Sequence, residues 1–264
     1  MIQKRYEGFL KTPCLWKSND VFSLQQFEII SESHTLNIEI DEQLRLGKYV
    51  ERLVACELEM HPNISIIAEN IQIQDEKTTL GEIDCLLLKD GEPIHLEIIY
   101  KFYLYDASVG TTEIDHFVGP NRKDSLKEKL TKLRDKQLPL LYNNNTEKYL
   151  TALDLNRHEI KQQVYFKAQL FAPFTNKNIQ LKVLNTACFA GLYVNKNQLH
   201  ELEECKFHIP NKKDWLMVPH PHVNWMLFDA FNHMATDYFK QQFSPLCWAK
   251  FKNGQLTKIF LVWW

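Results

Sequence analysis

Between residues 41 and 138 the apolar positions change period twice, and each change marks an element. Leu44, Leu46, Val50, Leu53, Val54 and Leu58 recur at helical spacing, which predicts an amphipathic helix over 41–60. His61-Pro62-Asn63 stops it, because proline cannot continue a helix and restricts the residue before it. Apolar strands are then predicted over 64–74, 79–88 and 93–104. The turn Lys89-Asp90-Gly91-Glu92-Pro93 makes the last two an antiparallel hairpin. A loop rich in Gly, Thr and Asp follows over 105–120. The stripe Leu126, Leu130, Leu133 predicts a second helix over 122–138, capped by Asn121 or Asp124.

Beyond residue 138 the pattern predicts a short helix over 147–162, strands over 164–171 and 187–194, and a helix over 223–242. Asp214–Val218 is a short apolar run. Asn253-Gly254 reads as a type I′ turn that joins 247–252 to 255–264 in a closing hairpin. Residues 1–33 read as irregular to helical, with a breaker at Thr12-Pro13. No linker-like segment interrupts the chain. The expectation is one domain over 1–264, with a core at about 41–171 and a strand-rich elaboration at about 172–264. Its fold class is α/β, a central mixed sheet flanked by helices.

Composition narrows the class. The chain has 264 residues, 45% hydrophobic and 24% charged, as in an ordinary globular protein. Its net charge of −2 supplies no global positive field, so any nucleic-acid site must be a local patch. The 6 cysteines form no CxxC pair and sit in apolar runs. With no signal peptide at the amino terminus, the expectation is reduced core thiols in a cytoplasmic protein.

The chemistry gathers where carboxylates interrupt the apolar strands. Asp84 ends Thr79-Leu80-Gly81-Glu82-Ile83-Asp84, and Glu97 and Lys101 lie in His95-Leu96-Glu97-Ile98-Ile99-Tyr100-Lys101. A carboxylate there is costly to desolvate unless a cation or donor compensates it. Phosphodiester hydrolysis needs a metal that acidifies a water and absorbs phosphoryl charge, and Mg²⁺ takes hard oxygen ligands from one or two carboxylates. Acidic residues on adjacent strands can supply them, a lysine can stabilise the transition state, and a helix glutamate can hold a second metal or its water. Asp84, Glu97, Lys101 and Glu51 fit these roles in that order.

The order helix-Glu, strand-Asp, turn, strand-Glu, Lys resembles the PD-(D/E)XK nuclease superfamily. Gly81-Glu82-Ile83-Asp84 is similar to the GEID of its resolvase-like members, and Gly47-Lys48-Tyr49-Val50-Glu51 to their first-helix motif. More narrowly, the chain resembles the bacterial domain-of-unknown-function family 1853. That resemblance rests on Arg45–Glu51, Leu80–Asp84, His95–Leu104 and Val118-Gly119-Pro120-Asn121. The resemblance implies a restriction-endonuclease-like core and a Mg²⁺- or Mn²⁺-dependent DNA nuclease. It places the metal on Asp84, Glu97 and the carbonyl of Ile98, and catalysis on Glu51, Asp84, Glu97 and Lys101. One departure stands out. The superfamily has its lysine two residues after the glutamate, where this chain has Ile99. Lys101, four residues on, shares the face of Glu97 but lies about 13 Å along the strand unless a bulge intervenes.

Competing assignments stand beside these. Asp84 and Glu97 could be ion-pair partners in a half-buried sheet, and Glu51 part of a solvated helix face. Lys101 could pair with Glu97 or Glu82. Glu82 itself reads as exposed, His95 as a satisfied sheet histidine, and His220-Pro221-His222 as a surface turn. The lysine-rich helix 122–138 is a solvated face or, with Asn121, Lys123 and Lys127 at its start, a phosphate contact. The alternative function is a catalytically inactive nuclease fold that binds nucleic acid or another protein.

Overall fold

The computed structural model describes residues 1–17, 21–30, 34–36 and 38–264. It is a mixed α/β protein with a central mixed sheet of nine strands flanked by helices. Part of the irregular-to-helical stretch expected over 1–33 lies outside the described residues. Its beginning is a helix, α1 (Ile2–Lys11). The chain divides into two compact units. One comprises Cys14–Tyr100 and Glu128–Lys167, the other Met1–Pro13, Lys101–Lys127 and Ala168–Trp264.

The first unit holds the motif segments. Helix α2 (Leu46–Glu59) buries Val50, Leu53, Val54 and Leu58, the stripe that the sequence spacing marks, and packs on strand β1 (Ile64–Asp75). Strands β2 (Thr78–Lys89) and β3 (Glu92–Tyr105) follow, β3 running on into the second unit. The strands β1, β2 and β3 form an antiparallel meander. Asp90 (φ 54) and Gly91 (φ 82) are both left-handed, and Lys89 faces Glu92, so the turn is type I′ as its sequence requires. The β2–β3 register runs from that turn to Cys85 opposite Leu96. Ile73, Ile83 and Leu86 meet Leu140, Leu141, Leu150 and Ile160 in a core on one face of the meander.

The expected helix over 122–138 is shorter and broken. Helix α3 spans only Leu126–Lys132, followed by a π-helical turn at Leu133–Gln137 and a 3₁₀ turn at Leu138–Tyr142. Its leucine stripe is nevertheless buried, at Leu126, Leu130 and Leu133. The start fails because Arg122 is left-handed (φ 53) in a turn closed by its N–H on the Gly119 carbonyl. The helix expected over 147–162 is α4 (Glu147–Ala152), ended by a left-handed Asp154 (φ 57) and a Leu155 N–H bond to the Leu150 carbonyl. Strand β5 (Lys161–Pro173) then crosses from the first unit into the second.

In the second unit β4 (Phe117–Val118) pairs antiparallel with the end of β3. Strand β6 (Phe189–Asn195) lies parallel to both β5 and β9 (Leu256–Val262). Beyond β9 come β8 (Leu246–Lys250) and β7 (Lys206–His208), each antiparallel to its neighbour. The 214–218 run belongs to a 3₁₀ turn at Lys212–Leu216. Helix α5 (Phe228–Lys240) is shorter than the expected 223–242, because Met226 is already bonded to β7 through Phe207. Phe207 stacks on Phe231 of α5 at 3.9 Å between centroids. The closing hairpin forms, but its turn is not type I′. Gly254 (φ 84) is left-handed and Asn253 is not, and Phe251 accepts from Gly254 and donates to Gln255. That is a type I turn with a glycine bulge. No described helix is long and apolar enough to cross a membrane.

Candidate metal centre

Three carboxylates of the first unit converge. Glu51 of α2 and Glu82 and Asp84 of β2 each bring an oxygen within 4.8 Å of the others, and theirs is the one such group among the described residues. Glu82 and Asp84 share a strand face by the two-residue period, and α2, packed on β1, brings Glu51 over it. Glu82 therefore belongs to the cluster and is not the exposed bystander that the sequence suggested. Its side chain is 25% exposed. The signal was present in the i, i+2 spacing of Glu82 and Asp84.

Lys48, one helical turn before Glu51, places its ammonium among these acids. It donates to Glu51 Oε2 at 2.8 Å, to Asn70 Oδ1 at 2.7 Å, and to Glu82 Oε1. The sequence did not single it out, since two of its three partners, Asn70 and Glu82, lie on β1 and β2. Burial works against its charge, but the bonds to Glu51 and Glu82 outweigh that and raise its pKa. Lys48 is thus a fixed cation and not a base. Glu51 is pushed upward, chiefly by burial, with Lys48 opposing. Asp84 is pushed up to about 7 by burial first and then by the charge of Glu97, although the Ile98 N–H donates to its Oδ2 at 2.9 Å.

Glu97 lies outside the trio. Its side chain is wholly buried, His95 Nε2 contacts Oε1 at 3.1 Å, and Gln137 Nε2 donates to Oε2. Gln162 Nε2 donates to His95 Nδ1 at 3.1 Å, which leaves Nε2 as the protonated nitrogen facing Glu97. His95 is the satisfied sheet histidine that the sequence suggested. Lys101, on the second-unit part of β3, pairs with Asp124 Oδ2 at 2.7 Å, not with Glu97 or Glu82. Ile98 lines the site and uses its N–H on Asp84.

The trio opens on a pocket of about 440 Å³. Lys129, Lys132 and Lys136 line it together with Lys48, and Leu140 closes one side over Gly81, where a Cβ would stand 2.9 Å from Leu140 Cδ2. The residues expected to meet phosphate are placed otherwise. Asn121 Oδ1 accepts from the Ser244 N–H at 2.7 Å, Lys127 pairs with Asp115 at 2.7 Å, and Lys123 is exposed. With α3 beginning at Leu126, Asn121 and Lys123 precede the helix, which removes the expected amino-terminal phosphate site at 121–123.

A family model covers residues 17–262, nearly the whole chain. The chain belongs to the family DUF1853, described as a domain of unknown function. No curated protein and no solved structure matches it. The DUF1853 match takes in α2, the β1–β3 meander, α3 and β5, and so contains every residue of the acidic cluster and its lysine wall.

Proposed function

We propose that this DUF1853 protein is a divalent-metal-dependent nuclease that hydrolyses phosphodiester bonds in DNA. The observation that carries the reading is the convergence of Glu51, Glu82 and Asp84 at the foot of a pocket walled by lysines. The element order supports it. A helix, a three-stranded antiparallel meander, a further helix and a strand follow one another as in the PD-(D/E)XK core, and β5 lies beside β3.

The residues fit a cation. Three carboxylates face one ammonium, and Asp84 is driven toward its protonated form by burial first and then by the charge of Glu97, both of which a bound cation would offset. Hard oxygen donors of this kind suit Mg²⁺ or Mn²⁺. When bound, the metal would supply Lewis acidity toward a phosphoryl oxygen and a water of lowered pKa. The chain's own groups do the rest. Glu51, Glu82 and Asp84 would hold the cation, and the Ile98 N–H fixes the Asp84 carboxylate. Lys48 is the positive charge nearest those acids, placed to offset charge that grows on the phosphoryl oxygens. It takes the part that Lys101 was expected to play. Lys129, Lys132 and Lys136 neutralise neighbouring phosphates, a local patch on a chain without net positive charge.

One feature favours the alternative, a nuclease fold that binds nucleic acid without cutting it. Glu97, a ligand by the superfamily pattern, has both oxygens engaged by His95 and Gln137. Incubation with duplex DNA, single-stranded DNA and RNA, with and without Mn²⁺, separates the two. Metal-dependent cleavage of DNA supports the nuclease. Binding of DNA without cleavage supports the alternative, and neither binding nor cleavage defeats both.

The lysine wall has its own test. Each phosphate contact contributes about 0.9 to the slope of log affinity against log salt for duplex DNA. Changing Lys132 and Lys136 to Gln flattens that slope in a fluorescence anisotropy titration, while the same change at Lys123 and Lys127 leaves it unaltered. Lys101→Ala separates a structural from a catalytic lysine. Because Lys101 pairs with Asp124, the expected outcome is a small fall in melting temperature with cleavage per folded molecule retained. A large loss of rate in a stable variant would return Lys101 to the chemistry.

A further inference from the structure

The second unit buries a cation that the acidic cluster does not use. Lys258 of β9 is 5% exposed. Its Nζ donates to Gln169 Oε1 at 2.7 Å and to the Trp215 carbonyl at 2.6 Å, and both acceptors are uncharged. Among the described residues no carboxylate pairs with it. An ammonium has three N–H donors, so one is left over. Burying a charge without a counter-ion is costly, and burial pushes the Lys258 amine down to about 7. A methionine-like side chain would fill the same space more cheaply.

Lys258 also lines a pocket of about 220 Å³, roughly the volume of seven liquid waters at about 30 Å³ each. Much of the remaining wall is apolar, with Phe189, Leu216 and Val218 contributing, and Lys11 adds a second positive charge. Apolar walls around one buried cation with a spare donor describe a receptor for an apolar body with one anionic head.

We propose that this pocket binds a small organic carboxylate, its head group on the Lys258 ammonium and its hydrocarbon part against Phe189, Leu216 and Val218. The carboxylate supplies the missing counter-ion and accepts the remaining N–H. One buried ammonium matches a monoanion, and the volume suits an acid of hexanoate size.

Calorimetric titration with hexanoate and with 1-hexanol tests this. The native protein is expected to bind hexanoate at least tenfold more tightly than the alcohol, whose chain is the same length. Lys258→Met should lose that preference while still binding the alcohol. Val218, 50% exposed, offers a variant that does not disturb the interior. Val218→Trp should fill the mouth and abolish hexanoate binding. Three results would overturn the proposal: no hexanoate binding by the native protein, an undiminished preference in Lys258→Met, or unchanged binding in Val218→Trp. If Lys258→Met does not fold, Val218→Trp decides.

Discussion

On the proposed function, Asp84→Ala is expected to abolish Mn²⁺ binding and to lower phosphodiester cleavage by roughly a thousandfold or more. The magnitude follows from the several kcal/mol that a metal contributes to phosphoryl transfer, at about 1.4 kcal/mol per factor of ten. Asp84 is the pivot because its carboxylate comes within 4.8 Å of those of Glu82 and Glu51 and is held by the Ile98 N–H. Mn²⁺ titration by calorimetry, beside single-turnover cleavage of a labelled duplex, reads both quantities. Binding of Mn²⁺ by the variant with native affinity would remove the trio from the metal site. Intact cleavage would remove it from the chemistry.

Asp84→Asn does the opposite to stability. It raises the stability of the metal-free protein at pH 8, by up to roughly 4 kcal/mol, the free energy that corresponds to a pKa moved from 3.8 to about 7. The sign follows from proton linkage. The folded-state pKa lies above the unfolded one, so the folded protein holds the proton more tightly. That contribution is complete below pH 3.8 and is lost as the pH rises through about 7. Asparagine carries no charge to bury, and its Oδ1 still accepts from Ile98. The gain of the variant therefore grows between those two pH values and levels off above. Urea denaturation in EDTA at pH 4, 6 and 8 measures it. Saturating Mn²⁺ should reverse the order, because only the native site gains ligand-binding free energy. A variant that is more stable without metal and inactive with it marks a site kept at a cost in stability. A variant no more stable than the native protein at pH 8 would show that burial and the charge of Glu97 do not hold the Asp84 carboxyl above its ordinary pKa.

What could be read from the sequence is what local chemistry fixes. The helical stripe from Val50 to Leu58 made α2, since only one face of that segment can be buried. Asp90-Gly91 made a type I′ hairpin, because both residues tolerate a left-handed backbone, and so set Asp84 and Glu97 on adjacent strands. The period-two rule put Lys101 on the Glu97 face but too far along the strand, and it is indeed bonded elsewhere. Membership of DUF1853 was legible in Arg45–Glu51, Leu80–Asp84, His95–Leu104 and Val118–Asn121, and the family match covers them all.

Tertiary structure decided which charges meet. Glu82 and Glu97 look alike as strand carboxylates, yet one faces the pocket with Glu51 and Lys48 while the other is sealed by His95 and by Gln137, 40 residues away. No periodicity contains that choice, which depends on where α2 and the π-helical turn come to rest on the meander. The lysine wall moved for a related reason. Lys123 and Lys127 looked equivalent to Lys129, Lys132 and Lys136 while the helix was read as continuous from 122. The left-handed Arg122 delays the start of the helix to Leu126, Lys127 is engaged by Asp115, and neither Lys123 nor Lys127 lines the pocket. Period and turn type are properties of neighbouring residues. The partners of a buried charge are selected by desolvation, which acts only once distant segments have packed together.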